Sequence, residues 1–225
     1  MTGPIRRILK PLVFAASLSP MALMLWDAFT NLNAIHFNAI VRDTGFWSLR
    51  FICLTLAITP LRWITGWQSL VKFRRMMGLF GFFYAAVHTI GYVAFGPAAG
   101  LEEAARAVPF TAMARTLSAI GEDLLRPFFA IGLVALVLIA PLAATSTAGM
   151  IRRLGGRRWQ ALHRLAYPAA IASVLHTYWP LTARAPRYAV VLSIIFILRV
   201  SRAYARSQSS AARTIETARA KAFQS

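Results

Sequence analysis

Three of the four histidines, His88, His163 and His176, lie inside or at the ends of stretches apolar enough to cross a bilayer. An ionisable side chain in such a stretch is costly and marks function by default. Cys53 is the single cysteine. An iron–sulfur cluster, a Cys-rich zinc site and an internal disulfide are therefore excluded by count. Helix-borne imidazoles without companion carboxylates are the donor set of a buried haem gripped from both faces. The plainer reading is that His88 and His176 bond a carbonyl or hydroxyl across helices. For His163, near an interface, ligation and a structural role both stand open, and His36 reads as an ordinary surface residue.

The elements that position these groups read as membrane crossings. The chain has 225 residues, 58% hydrophobic and 14% charged, too apolar for an ordinary water-soluble domain. Six segments qualify: Pro11–Phe29, Gly45–Trp63, Met76–Phe95, Pro127–Thr145, Gln160–Trp179 and Tyr188–Tyr204. Each runs about 17–20 residues, enough to cross roughly 30 Å of hydrocarbon as a helix. No strand alternation and no internal repeat is evident. The expected architecture is an all-α, multi-pass six-transmembrane-helix bundle over residues 1–206, followed by a polar, basic cytoplasmic tail at 207–225, frayed or disordered. Gly96–Arg126 is the long external loop, in which Gly100–Val108 and Ala112–Leu125 read as short amphipathic surface helices.

The net charge of +18 does not indicate nucleic acid, because the basic residues flank apolar segments instead of lining one soluble face. One side of the predicted membrane collects 18 of the 25 basic residues and one of the seven acids, Glu216. That bias places both termini in the cytoplasm. Arg6 and Arg7 before the first apolar run resemble a signal peptide, but its length, Pro20 within it and the five later spans favour an uncleaved helix. Trp47, Trp63, Trp67, Trp159 and Trp179 fall at span ends as an aromatic belt. The arginine pairs Arg74-Arg75, Arg152-Arg153 and Arg157-Arg158 satisfy topology and anionic membrane lipid, and they also suit haem propionates or a flavin phosphate.

Depth separates the histidines. His88 lies 12 residues beyond Met76, about 18 Å along its helix, and His176 lies about 20 Å beyond His163. His88 and His176 therefore share the outer half of the bilayer and pair around one iron, with His163 alone near the inner face. On a straight helix His163 and His176 stand roughly 140° apart, and Pro168 between them is a candidate kink. Gly78, Gly81 and Gly91 are spaced to admit a close helix or a flat ring.

The segments TGFWSLRFICLTLAITPLRW (Thr44–Trp63), RRMMGLFGFFYAAVHTIGY (Arg74–Tyr92), LRPFFAIG (Leu125–Gly132) and TSTAGMIRRLGGRRWQALHRLAYPAAIASVLHTYW (Thr145–Trp179) closely resemble the MsrQ family, also called YedZ. This family supplies the haem-binding membrane subunit of a bacterial periplasmic methionine-sulfoxide reductase system, within the ferric-reductase-like transmembrane group. The resemblance covers Thr44 to about Tyr204. It implies an inner-membrane protein binding heme b and FMN that passes electrons outward to a periplasmic molybdopterin-containing reductase subunit. Either a cytosolic flavin reductase or quinol would be the donor. It matches His88, His163 and His176 to the family's histidines; the wider group carries four, in two pairs. Arg74, Arg75, Arg152 and Arg158 are the cofactor-binding candidates beside them. No nucleophile, general base or oxyanion constellation is evident, so methionine sulfoxide is expected to be reduced by the partner. The competing readings are a self-sufficient transmembrane haem reductase of metal or quinone and, from another class, a small transporter with structural histidines.

Overall fold

The computed structural model describes residues 4–30, 37–95, 121, 125–178 and 185–222. Peptide groups without water bond within their own segment, and the described residues are helical almost throughout. In chain order they form α1 (Pro4–Thr30), α2 (Phe37–Thr65), α3 (Val71–Phe95), α4 (Pro127–Ala144), α5 (Ala148–Leu162), α6 (Ala166–Tyr178) and α7 (Ala185–Ala222). Short 3-10 turns at Gln68–Leu70 and His163–Leu165 precede α3 and α6. Five stretches are long and apolar enough to cross a membrane: Ile8–Thr30, Ala39–Thr65, Gln68–Val93, Pro127–Ala144 and Pro186–Ser210. They coincide with the first four and the last of the expected spans.

The expected fifth span, Gln160–Trp179, is broken. It comprises the end of α5, the 3-10 turn and the 13-residue α6, which alone is shorter than a crossing needs. Pro168 has no N–H to offer the Arg164 carbonyl, and the chain tightens just before it. The basic stretch read as a loop before this span is instead helical. Thr147 opens α5 as its N-cap, accepting from Met150 N at 3.2 Å, and Gly155 interrupts it with φ +71°. Beyond Ser207 the chain stays helical to Ala222 instead of fraying. His36, Trp179 and the two external-loop helices lie outside the described residues, Gly121 and Leu125 apart.

α2 is the central element: 56% of its apolar window is buried, against 22% or less for the other four. One of its faces joins Leu49, Ile52, Cys53 and Leu56 to Ile139 of α4, Ala169, Ala170 and Val174 of α6, and Leu192 and Ile195 of α7. Another packs Phe51 and Ile58 on Met77, Phe80 and Tyr84 of α3. Large outward side chains such as Trp26, Phe29, Ile90, Val137 and Ile197 are exposed, as a lipid-facing belt requires. Small residues let α2 and α3 approach closely: Ser48 Oγ donates to the Gly81 carbonyl at 2.9 Å, and a Cβ on Gly81 would meet Ile52 at 3.3 Å. Gly78, Gly81 and Gly91 thus admit helix α2, through Thr55, Ile52 and Val41 respectively.

Prolines inside these helices free carbonyls that side chains then satisfy. Pro20 leaves the Ala16 carbonyl without its usual donor, and Ser19 Oγ supplies one at 2.9 Å. Beside it the Tyr84 hydroxyl, fully buried, donates to Ser17 O at 2.9 Å and accepts from Met21 N at 3.2 Å. Pro60 frees the Leu56 carbonyl, which accepts from Arg199 Nη2 of α7 at 2.6 Å. Tyr84 is therefore a polar rivet between α1 and α3. Tyr84→Phe is expected to destabilise the detergent-solubilised protein by about 1 kcal/mol, read as a lowered midpoint of thermal unfolding. An unchanged midpoint would remove Tyr84 from that role.

Candidate functional site

Two helix pairs present an imidazole by the same device. In the first, His88 of α3 donates Nδ1–H to the Val41 carbonyl of α2 at 2.7 Å. One turn beyond Val41 lies Gly45, where a Cβ would stand 2.9 Å from His88 Nδ1. In the second, His176 of α6 donates Nδ1–H to the Phe128 carbonyl of α4 at 2.6 Å. One turn beyond Phe128 lies Gly132, where a Cβ would stand 2.8 Å from the His176 ring. The motif is a carbonyl, a glycine four residues later and an imidazole seated on both. No side chain but glycine leaves room for the ring.

A carbonyl only accepts, so Nδ1 carries the proton in both rings, and Nε2 is the nitrogen left free of that bond. This is the arrangement by which proteins orient metal-ligating histidines. It also shows that the two readings of His88 and His176 are compatible: one nitrogen bonds a carbonyl across helices and the other stays available.

The two rings meet. Their centroids are 6.0 Å apart with planes at 74°, so the depth match expected from the sequence brings them to one place. Both line a cavity of about 380 Å³ between α2, α3, α4 and α6. Its wall is mainly apolar, with Phe46, Leu49, Leu136 and Ile139, and Ser48, Thr89, Ser173 and Thr177 supply hydroxyls. Arg42, paired with Asp43 at 3.9 Å, also lines it. Among the described residues no three His, Cys, Asp or Glu side chains gather as a multidentate metal site. The donor set instead suits a metal held by two imidazoles and an equatorial ring. Two metal–nitrogen bonds of about 2 Å, each with its ring centroid about 1 Å behind the nitrogen, put the centroids about 6 Å apart. The residues present fit a haem.

The other candidates lie away from this cavity. His163 sits in the 3-10 turn, stacked on Trp159 with centroids 3.9 Å apart, and its Nδ1 donates to the Trp159 carbonyl at 3.1 Å. It is held within its own turn and does not line the cavity. Arg74 is half-buried near the start of α3, about 21 Å along the helix from His88. Arg75, also on α3, and Arg152 and Arg158 on α5 are exposed. Gly45, Gly132 and the carbonyls of Val41 and Phe128 are the site features missed from the sequence. Their signal was present, since Phe128 and Gly132 sit four apart within LRPFFAIG, but nothing in the chain says which ring a carbonyl on another helix will meet.

A family model described as ferric reductase like transmembrane component matches residues 44–174. A protein of Herminiimonas arsenicoxydans named protein-methionine-sulfoxide reductase heme-binding subunit MsrQ is 42% identical over 173 residues, covering 76% of this chain and 72% of that protein. Proteins of the same name are 38% identical in Ralstonia nicotianae (86% of this chain, 85% of the relative) and 37% identical in Xanthomonas euvesicatoria (91% of each). With five apolar helices in the fold, the chain is a multi-pass protein of the bacterial inner membrane. The chain belongs to the MsrQ family of ferric-reductase-like transmembrane proteins.

Proposed function

We propose that the chain is the haem-binding, electron-carrying membrane subunit of a methionine-sulfoxide reductase system. In this reading it conducts electrons from the cytoplasmic side, through FMN and heme b, to a periplasmic molybdopterin-containing partner that reduces the sulfoxide. The donor is a cytosolic flavin reductase or quinol. The observation that carries the reading is the pair of imidazoles, 6.0 Å apart, lining one mainly apolar cavity, in a chain whose relatives are named heme-binding subunits. His88 and His176 would hold the haem, which would supply one-electron chemistry when bound. The Val41 and Phe128 carbonyls keep the proton on Nδ1 and so keep Nε2 as the donor atom. Gly45 and Gly132 let each ring lie against the neighbouring helix, and the wall around the rings is mainly apolar.

We assign His163, Arg74, Arg75, Arg152 and Arg158 to the flavin side, where guanidinium groups offer bidentate donors to a phosphate. The topology that goes with this assignment has six crossings. Residues 160–178, helical through their 3-10 break, form the fifth. Both termini lie in the cytoplasm, with 207–225 as a basic extension of α7. The skew of basic residues to one side supports that orientation.

The reduced, purified protein is expected to show sharp absorption bands of six-coordinate low-spin heme b. His88→Ala and His176→Ala are each expected to bring haem content to background. A colourless, well-folded wild-type preparation, or variants that retain full haem content, would overturn the reading. Gly45→Ala and Gly132→Ala each drive a methyl group into an imidazole and are expected to weaken haem retention about 10–100-fold, the usual effect of disturbing a ligand's support. Gly78→Ala, whose Cβ would stand 3.6 Å from Thr55, is expected to leave it unchanged. Equal haem retention in all three, measured by competition with apomyoglobin, would refute the glycine seats.

A further inference from the structure

Away from the histidine cavity, α7 runs parallel to α2. Arg50 Nε, midway along α2, donates to the Tyr188 hydroxyl near the start of α7 at 3.1 Å. Arg199 reaches Leu56. Arg202 and Arg206 lie over the Trp63 ring, 5.1 and 5.5 Å from its centroid, toward the C-terminal end of α2. Residues 199, 202 and 206 share one helical face, and that face meets the turn of α2 carrying Arg62 and Trp63.

This junction gathers positive charge without neutralising it. Among the described residues Arg199 is bonded only to neutral acceptors, the Leu56 carbonyl and the Tyr167 hydroxyl. No carboxylate partners Arg62, Arg199, Arg202 or Arg206 among the described residues. Arg74 of α3 lies within electrostatic reach of both Arg62 and Arg199. Three buried side-chain nitrogens lack a hydrogen-bond partner among the described residues, and all three belong here: Arg62 Nε, Trp63 Nε1 and Arg199 Nε. Buried donors are almost always satisfied, and each exception asks for a missing water, ion or ligand. Uncompensated guanidinium groups in a low-dielectric setting are costlier still. A group with several acceptor oxygens and negative charge answers both deficits.

We propose that the α2–α7 junction, through Arg62, Trp63 and Arg199 with Arg202 and Arg206 around them, is a binding site for a phosphate group. Two molecules present that chemistry at a membrane surface: an anionic phospholipid and, resting on the flavin reading above, FMN, whose phosphate this junction would then share with Arg74. The site stands independently of the haem reading, because none of its residues lines the histidine cavity.

The test uses the full-length protein purified in mild detergent. Retained phospholipid is counted by non-denaturing mass spectrometry, FMN binding is measured by titration with fluorescence quenching, and haem content is read on the same samples. Arg62→Gln removes a charge and an unmet donor. Trp63→Phe removes only the N–H and keeps a ring beneath Arg202 and Arg206. Arg153→Gln, exposed on α5, is the control. A drop of about tenfold in retained phosphatidylglycerol with Arg62→Gln, and a smaller drop with Trp63→Phe, supports the site with lipid as its source. The same drops in FMN affinity support it with flavin as its source. Tenfold corresponds to about 1.4 kcal/mol, within the range of one charge-assisted hydrogen bond. Phospholipid and FMN both held at control levels in both variants would overturn the site, and haem content at control levels separates that result from a failure of the histidine site.

Discussion

The structure depends on where each imidazole places its proton. Nδ1–H of His88 and of His176 is committed to a helix carbonyl, so the second nitrogen of each ring is fixed in direction and is the one left to bind. A histidine left free in an apolar cavity would choose its own rotamer and tautomer. Here the carbonyl sets both, and a glycine one turn away makes the contact sterically possible. The distance between the rings, 6.0 Å, follows from how the α2–α3 and α4–α6 pairs lean together, so the packing of four helices is read out at one point.

That packing is organised by α2. It lends Val41 and Gly45 to the site, Ser48 to the backbone of α3, and the Leu56 carbonyl to α7. Prolines recur in these helices, and each removes a donor from the helix that carries it. Where the freed carbonyls are seen to be satisfied, the partner is either local, as Ser19 is for Ala16, or a cross-brace, as Arg199 is for Leu56. In the second case a defect in one helix becomes the attachment point of another. The same brace holds Arg199 among other arginines at the basic end of the bundle, where its unused Nε lacks a partner.

The pairing of His88 with His176 was legible in the sequence because depth along a helix follows from residue count. Twelve residues from a basic boundary is a length, and lengths survive packing. The separation of His163 from that pair was legible for the same reason, since 13 residues put it about 20 Å along the chain from His176. What broke the fifth span was half legible: Pro168 was visible, but the shortness of α6 depends on backbone pairing that composition does not reveal. The helix α5 was missed because Gly155-Gly156 between arginine pairs reads as a loop, whereas Thr147 caps a helix that bends at Gly155. The glycine seats and the cluster of Arg62, Trp63 and Arg199 could not be assembled from the sequence, because each joins residues of different helices whose rotation about their axes is set by the whole bundle.

The most direct test of the central claim is the low-temperature electron paramagnetic resonance spectrum of the oxidised, full-length protein. Two imidazole ligands with planes at 74° predict a strongly anisotropic low-spin ferric signal that disappears in His88→Ala and in His176→Ala. A high-spin signal in the wild-type protein, from iron with an open axial position, would contradict it.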